Sequence, residues 1–204
     1  MKRYIRKILF FILIIAIVVP LLFPFVWMLS SSFKTQVDIV AWPPKLIFSP
    51  TLQNYKRVFS EQNFLKYFVN SSIIGISSVF FSLLMGLPAA FSIARFGQKK
   101  LSIFILIARL MPGISFLMPW YIIFSRLRLM DSYVALILSH MLITLPIIVW
   151  IMESYFETIP LEIEESAMVD GATRQRAFLA IVLPIAAPGI VTSITLSFIF
   201  SWNN

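Results

Sequence analysis

Cysteine is absent from this sequence, and charged residues are scarce. The 204 residues include no cysteine and only 13% charged residues, while 59% belong to the hydrophobic set. Without cysteine there are no disulfides, no thiolate metal ligands and no cysteine nucleophile. A soluble domain carries about a quarter charged residues. This composition, with a mean hydropathy of +0.90, therefore indicates a chain whose solvent is lipid.

The sequence also lacks the residue sets that catalysis requires. None of its six glycines is followed by lysine, so no phosphate-binding loop can form. The single histidine, His140, lies inside an apolar run, whereas most carboxylates lie between 153 and 176. A serine, histidine and carboxylate set cannot meet in that arrangement. We therefore predict no catalytic residue, no metal site and no energy source within this chain.

Five apolar runs are long enough to cross roughly 30 Å of hydrocarbon. They cover residues 8–29, 68–94, 101–124, 133–152 and 185–202. We therefore expect an all-α fold, a single polytopic transmembrane helical bundle over 1–204. A cleavable signal peptide is the competing interpretation of the first run, because a basic n-region precedes it. The run is longer than an h-region, however, and no Ala-x-Ala site follows.

Small residues and prolines indicate how these helices pack. A small residue recurs at every fourth position in the second and fifth runs, which predicts two close-packing faces. The positions are Ser78, Ser82, Gly86, Ala90, Ala94, Gly189, Ser193, Ser197 and Ser201. The third run is interrupted by Pro112 and Pro119. It also contains Arg109, the only charge within a run, which is a functional candidate by default but for which we favour a structural, bracing role.

The basic residues predict the orientation of the chain. Of 17 lysines and arginines, nine lie in the amino-terminal tail, the 95–100 loop and the 153–176 segment, and seven lie in the other two loops. The dense basic groups beside the first two runs predict a cytoplasmic amino terminus, and hence a cytoplasmic segment 153–184. The positive charge is thus explained by anchoring at membrane lipid, and we expect no nucleic-acid partner.

The cytoplasmic segment has the pattern of a helix, a turn and a second helix. Thr158 can cap a first helix whose early turns are acidic, as the helix dipole favours. Asp170-Gly171 is a turn signal, because glycine readily adopts positive φ. Thr173 can then cap a second helix that runs toward Pro184.

Residues spaced across this segment resemble a known family. Glu165-Ser166-Ala167, Gly171 and Ile181-Val182-Leu183-Pro184 have the spacing of the EAA loop of binding-protein-dependent ABC importer permeases, with Ser166 in place of the usual alanine. Other segments resemble the carbohydrate, maltose-transporter branch of that family. They are Trp42-Pro43-Pro44, Leu52 to Tyr55, Arg109 to Pro112, Pro184 to Gly189 and Ser201-Trp202-Asn203. Family members have one more span after this point, so the chain looks truncated at its carboxyl end.

The resemblance implies a type I ABC importer permease of the bacterial inner membrane, whose coupling helix sits in a cleft on a separate ATPase. The implied coupling residues are Glu164, Glu165, Ser166, Ala167, Asp170, Gly171, Ile181, Leu183 and Pro184. Among them, Ala167 and Gly171 would permit close approach, and Glu165 would pair with a basic group of the ATPase. The implied partners are a homologous second permease subunit, an ABC ATPase dimer that binds ATP and magnesium, an extracytoplasmic solute-binding protein and a sugar or glycoside. No cofactor is expected in this chain itself.

Candidate sugar contacts are side chains that offer hydrogen-bonding groups or an aromatic face within the spans. They are Tyr121, Ser139, Thr144, Trp202 and Asn203. The same residue types also serve as interhelical hydrogen bonds and interfacial anchors, and we expect His140 to be a packing residue. Two alternatives remain open: an ABC permease for a polyol phosphate, amino acid or peptide, and a membrane scaffold or channel that needs no ATPase.

Overall fold

The computed structural model describes residues 2–204, apart from the side chains of Lys2 and Ile5, and contains helices but no strand in that part of the chain. This confirms the all-α prediction. The chain divides into two compact units, one ending at Tyr67 and the other beginning at Phe68.

The first unit is dominated by one long apolar helix. Its helices are α1 (Lys2–Ser32), α2 (Gln36–Ile39), α3 (Gln53–Glu61) and the first turn of α4 (Phe64–Phe96). With 31 residues, α1 rises about 46 Å, so it extends beyond the predicted run 8–29 at both ends. The short helix α3 lies between the first two apolar runs.

The second unit contains the rest of α4 and seven further α-helices. These are α5 (Lys99–Leu110), α6 (Leu117–Arg126), α7 (Tyr133–Thr158), α8 (Leu161–Val169), α9 (Arg174–Ala177), α10 (Leu183–Ile185) and α11 (Ala187–Trp202). A 3₁₀ turn, Gly113–Phe116, lies between α5 and α6, and a π-helical turn, Phe178–Val182, joins α9 to α10.

Among the described residues, three helices are long and apolar enough to cross a membrane, and five spans result if each of two bent helix pairs is counted as one. The three are α1, α4 and α7. The pair α5 and α6 is bent by 97°, and the helical segment Arg174–Ile185 meets α11 at 75°. The first bend falls at Met111, whose extended backbone (φ −70°, ψ 131°) is the conformation favoured before Pro112. Pro119 causes no break, because it lies in the first turn of α6.

Small residues bring α4, α7 and α11 into close contact, which confirms the two predicted packing faces. Ser78, Ser82, Ser193 and Ser197 are fully buried. A methyl group at Gly189 would lie 2.6 Å from the Tyr155 ring. The glycine backbone and the serine hydroxyls thus lie directly against side chains of the neighbouring helix.

Candidate functional site

The surface segment after α7 folds as the predicted helix, turn and helix, but its first helix begins differently. Thr158 is not a cap: it ends α7, and its hydroxyl donates to the Tyr155 carbonyl at 2.7 Å. The chain leaves the helix at Ile159, whose φ of −82° and ψ of 122° are typical of a residue before proline. Helix α8 then starts after Pro160, without a side-chain cap.

The turn between α8 and α9 is a Schellman motif. Gly171 has a φ of +88°, a value that glycine adopts without strain. Its N–H donates to the Met168 carbonyl at 3.1 Å, and the Ala172 N–H donates to the Ala167 carbonyl at 3.0 Å. Thr173 then accepts a hydrogen bond from the Arg176 N–H, which confirms it as the cap of α9. Local sequence thus determines a sharp and well-defined reversal.

Helix α8 has an inward and an outward face. Glu164 and Ala167, three positions apart, are buried with 2% and 7% of their surface exposed. The opposite face is exposed and repeats at helical spacing. It consists of Glu162, Glu165, Ser166 and Val169, and it continues into Asp170 and Gly171. The implied coupling residues therefore divide: Glu164 and Ala167 are covered by this chain, whereas the others in α8 and the turn are open to a partner.

The buried Glu164 carboxylate is paired with Arg95, at the carboxyl end of α4. The Arg95 Nε and the Glu164 Oε1 lie 2.5 Å apart, and the two side chains are 8% and 2% exposed. The same guanidinium donates from Nη2 to the Ile159 carbonyl at 3.0 Å and lies 5.9 Å from the Phe91 ring centre. Arg95 therefore fastens the start of the helix pair to the end of a membrane-spanning candidate.

Helix α9 and the π-helical turn contact the same end of α4. The Arg174 guanidinium lies 5.0 Å from the Phe96 ring centre. The Phe178 ring packs 4.6 Å from the Phe91 ring, centre to centre, and Val182 is completely buried. Of the remaining implied coupling residues, Ile181 and Leu183 are half-buried and Pro184 is exposed. The segments on both sides of the Gly171 turn thus pack against the last turns of α4.

Arg95 is a residue of this site that the sequence does not single out. It counts there only as one of three basic residues in a short loop, and its partner lies 69 positions away. The available signal was its place at the end of an apolar run, where a buried charge requires a partner.

The candidate sugar contacts lie in two different settings. Thr144 is fully buried between helices, with its hydroxyl 2.6 Å from that of Ser82, and Ser139 is half-buried and donates to the Ala135 carbonyl. Tyr121, Trp202 and Asn203 are exposed. The five residues therefore differ in accessibility: Thr144 is covered by neighbouring helices, Ser139 is half covered, and the other three are open.

The two polar groups expected to have structural roles both have partners within the chain. His140 Nδ1 lies 2.8 Å from the Ser201 hydroxyl, which confirms a packing histidine. The Arg109 guanidinium lies 5.4 Å from the Trp150 ring centre, in cation–π contact between α5 and α7.

Apolar helices bent at proline, and a surface helix pair packed against one of them, define a class: a multi-pass membrane protein. The family described as binding-protein-dependent transport system inner membrane component matches residues 78–204. The chain belongs to this family, and it is therefore a membrane-spanning permease subunit of an ABC transport system.

Individual relatives match over nearly the whole chain. A sulfoquinovosyl glycerol transport system permease protein of Agrobacterium fabrum is 34% identical, over 89% of this chain and 65% of its own length. A trehalose/maltose transport system permease protein of Thermococcus litoralis is 32% identical, over 99% of this chain and 74% of its own. The chain thus spans about two thirds to three quarters of these relatives.

One solved structure shares the fold. It is the crystal structure of a bacterial ABC transporter involved in the import of the acidic polysaccharide alginate. One of its chains superimposes with a TM-score of 0.80 at 20% identity, over 100% of this chain and 72% of that chain.

Proposed function

We propose that this permease subunit imports a sugar or glycoside, and that the exposed face of α8 and the following turn is its contact with the ATPase. The observation that carries the second statement is the division of α8 into an inward face, held by Arg95, and an outward face that no described residue covers. ATP and magnesium are bound by the ATPase subunits, and no cofactor is assigned to this chain.

The outward face has the chemistry of a docking surface. Val169 is 87% exposed at the tip of α8, where an apolar side chain has no solvation role. Glu162 and Glu165 place two carboxylates beside it. Exposed Gly171 has no side chain, so a partner backbone can approach closely. A cleft with an apolar floor and a basic rim would complement this surface, and Glu165 would supply the charged hydrogen bond.

The contacts of the inward face explain how a displacement of α8 would be transmitted to a membrane-spanning helix. Because Arg95 binds both Glu164 and the Ile159 carbonyl, α8 and the residue before Pro160 are both tied to the last turn of α4. Phe91 and Phe178 add an aromatic contact from the other arm. Movement of the ATPase subunits toward each other would then displace α4 together with α8. This supports alternating access through rigid coupling at the end of one span.

Two features support the solute and the orientation. The names of both relatives concern sugars or glycosides, and the sequence motifs resemble the maltose-transporter branch. The basic tail and the 95–100 loop favour the cytoplasmic side for the amino terminus and for the α8–α9 turn. A second, homologous permease subunit and an extracytoplasmic solute-binding protein complete the proposed assembly.

Charge reversal at the outward face tests this proposal against an ATPase-independent channel or scaffold. Glu165→Lys should abolish ATP-driven sugar uptake in reconstituted vesicles, because it repels the basic rim that Glu165 contacts. The matched control is Glu61→Lys, another exposed glutamate, at the end of α3 on the predicted outer side. It should leave uptake near the wild-type rate. Uptake and ATPase association that survive Glu165→Lys would refute the docking assignment.

A further inference from the structure

The first unit carries an apolar surface in the loop between α1 and α3. Four large side chains of this loop are among the most exposed in the described part of the chain. They are Val40 (78%), Trp42 (91%), Leu46 (76%) and Ile47 (95%). We call these four residues the apolar loop. Scattered exposed apolar residues need no explanation, but four within eight positions do.

A buried lysine holds this loop against the end of α1. Lys34 is only 2% exposed, although it lies two positions beyond the last residue of the helix. Its ammonium donates to the Lys45 carbonyl at 2.7 Å. The same ammonium lies 4.7 Å from the Trp27 ring centre and 5.0 Å from the Phe48 ring centre. Lys45 and Phe48 immediately flank Leu46 and Ile47. The contacts of Lys34, which we call the Lys34 clamp, therefore fix the position of these exposed side chains.

The length of α1 would place the Lys34 contacts near the level where this helix leaves the hydrocarbon. Trp27 is in the last turns of the helix, about 8 Å below Ser32 along its axis. The helix rises about 46 Å, whereas a bilayer with its headgroups is about 40–45 Å thick. Residues that share a contact with Trp27 therefore lie at the headgroup boundary. Tryptophan and exposed aliphatic residues at that depth are typical of interfacial anchors.

The polar groups around the apolar loop are already hydrogen-bonded to one another or to the backbone. The Asp38 carboxylate accepts hydrogen bonds from the Lys45 ammonium and the Thr35 hydroxyl, each at 2.7 Å, and these bonds lower the pKa of Asp38. The Asn54 amide donates to the carbonyls of Ser32 and Lys34, which satisfies the end of α1. These polar groups are thus paired within the first unit, although the Lys45 side chain remains half exposed beside the apolar loop.

We propose that the apolar loop is an interfacial lipid anchor: Trp42, Leu46 and Ile47 insert at the headgroup boundary of the outer leaflet, held there by the Lys34 clamp. A lipid surface is favoured over a protein partner because the loop is continuous with α1. That helix is apolar on all sides, and none of its described side chains is buried within the first unit. The anchor would fix the outer end of the first span while the rest of the permease moves.

The absence of native cysteine makes the test direct. Single cysteines are introduced as Trp42→Cys, Ile47→Cys and the control Gln53→Cys, an exposed polar position at the start of α3. Each is labelled with a nitroxide in the assembled transporter, which is reconstituted in vesicles of phosphatidylethanolamine and phosphatidylglycerol. Spin relaxation by oxygen, which partitions into lipid, is compared with relaxation by a water-soluble nickel chelate.

The proposal expects the oxygen-to-nickel accessibility ratio to be severalfold higher at positions 42 and 47 than at position 53. Adding Lys34→Met to Ile47→Cys should lower the ratio at 47, because the clamp is lost. A water-like ratio at both positions would overturn the proposal. So would labels shielded from oxygen and nickel alike, since that result means that a protein partner covers the loop. Both outcomes are independent of solute identity and of the ATPase contact.

Discussion

Removing the Glu164 carboxylate should destabilise this protein far more than removing its neighbour Glu165. In Glu164→Ala the Arg95 guanidinium stays buried, with only the Ile159 carbonyl and the Phe91 ring as partners. Breaking a buried ion pair at one end costs about 3–5 kcal/mol. That cost corresponds to a decrease of roughly two to four orders of magnitude in the folding equilibrium constant. Glu165→Ala changes an exposed side chain and should stay within about 0.5 kcal/mol of wild type.

The assay is reversible unfolding of the purified chain in mixed micelles, followed by circular dichroism as a denaturing detergent is added. The informative third variant combines Arg95→Met with Glu164→Leu. Replacing a whole buried pair by apolar residues is often neutral or stabilising, so the double variant should recover most of the lost stability. The reasoning would be refuted if Glu164→Ala behaved like Glu165→Ala, or if the double variant were as unstable as the sum of its single changes.

Two further predictions concern the close packing of the spans. Gly189→Ala should cost about 1–3 kcal/mol of unfolding free energy, because the new methyl group overlaps the Tyr155 ring; Gly113→Ala, where no atom lies within 4 Å, should be tolerated in the same unfolding assay. Ser82→Ala should cost about 1 kcal/mol, because it leaves the buried Thr144 hydroxyl with one partner fewer. An equal loss from both glycine changes, or no loss from Ser82→Ala, would contradict the packing described above.

Features set by neighbouring residues could be predicted from the sequence. The reversal at Gly171 depends on a single positive φ, and the Thr173 cap depends on one side chain reaching an N–H three positions on. The break at Pro112 likewise follows from the ring of that proline alone. Small residues at every fourth position predicted the packing faces, because helical spacing places them on one side.

Features set by distant residues could not be predicted. The sequence offers Glu164 and Glu165 as equivalent carboxylates, and only the rotation of α8 about its axis decides which of them is buried. That rotation depends on where Pro160 starts the helix and on the packing of Ala167. The expected Thr158 cap was wrong for a related reason: α7 continues through a polar stretch, where Ser102 of α5 donates to Glu153 at 2.6 Å and supports the extension.

The central claim is that the tip of α8 is the surface that contacts the ATPase, and cross-linking from that tip tests it most directly. Val169→Cys, in a chain without other cysteines, is labelled with a benzophenone maleimide in membranes that contain the assembled transporter. Illumination should join this chain to the ATPase subunit, while the same label on Gln53→Cys should not. Equal cross-linking from both positions, or none from position 169 in a complex that still hydrolyses ATP during transport, would contradict the account.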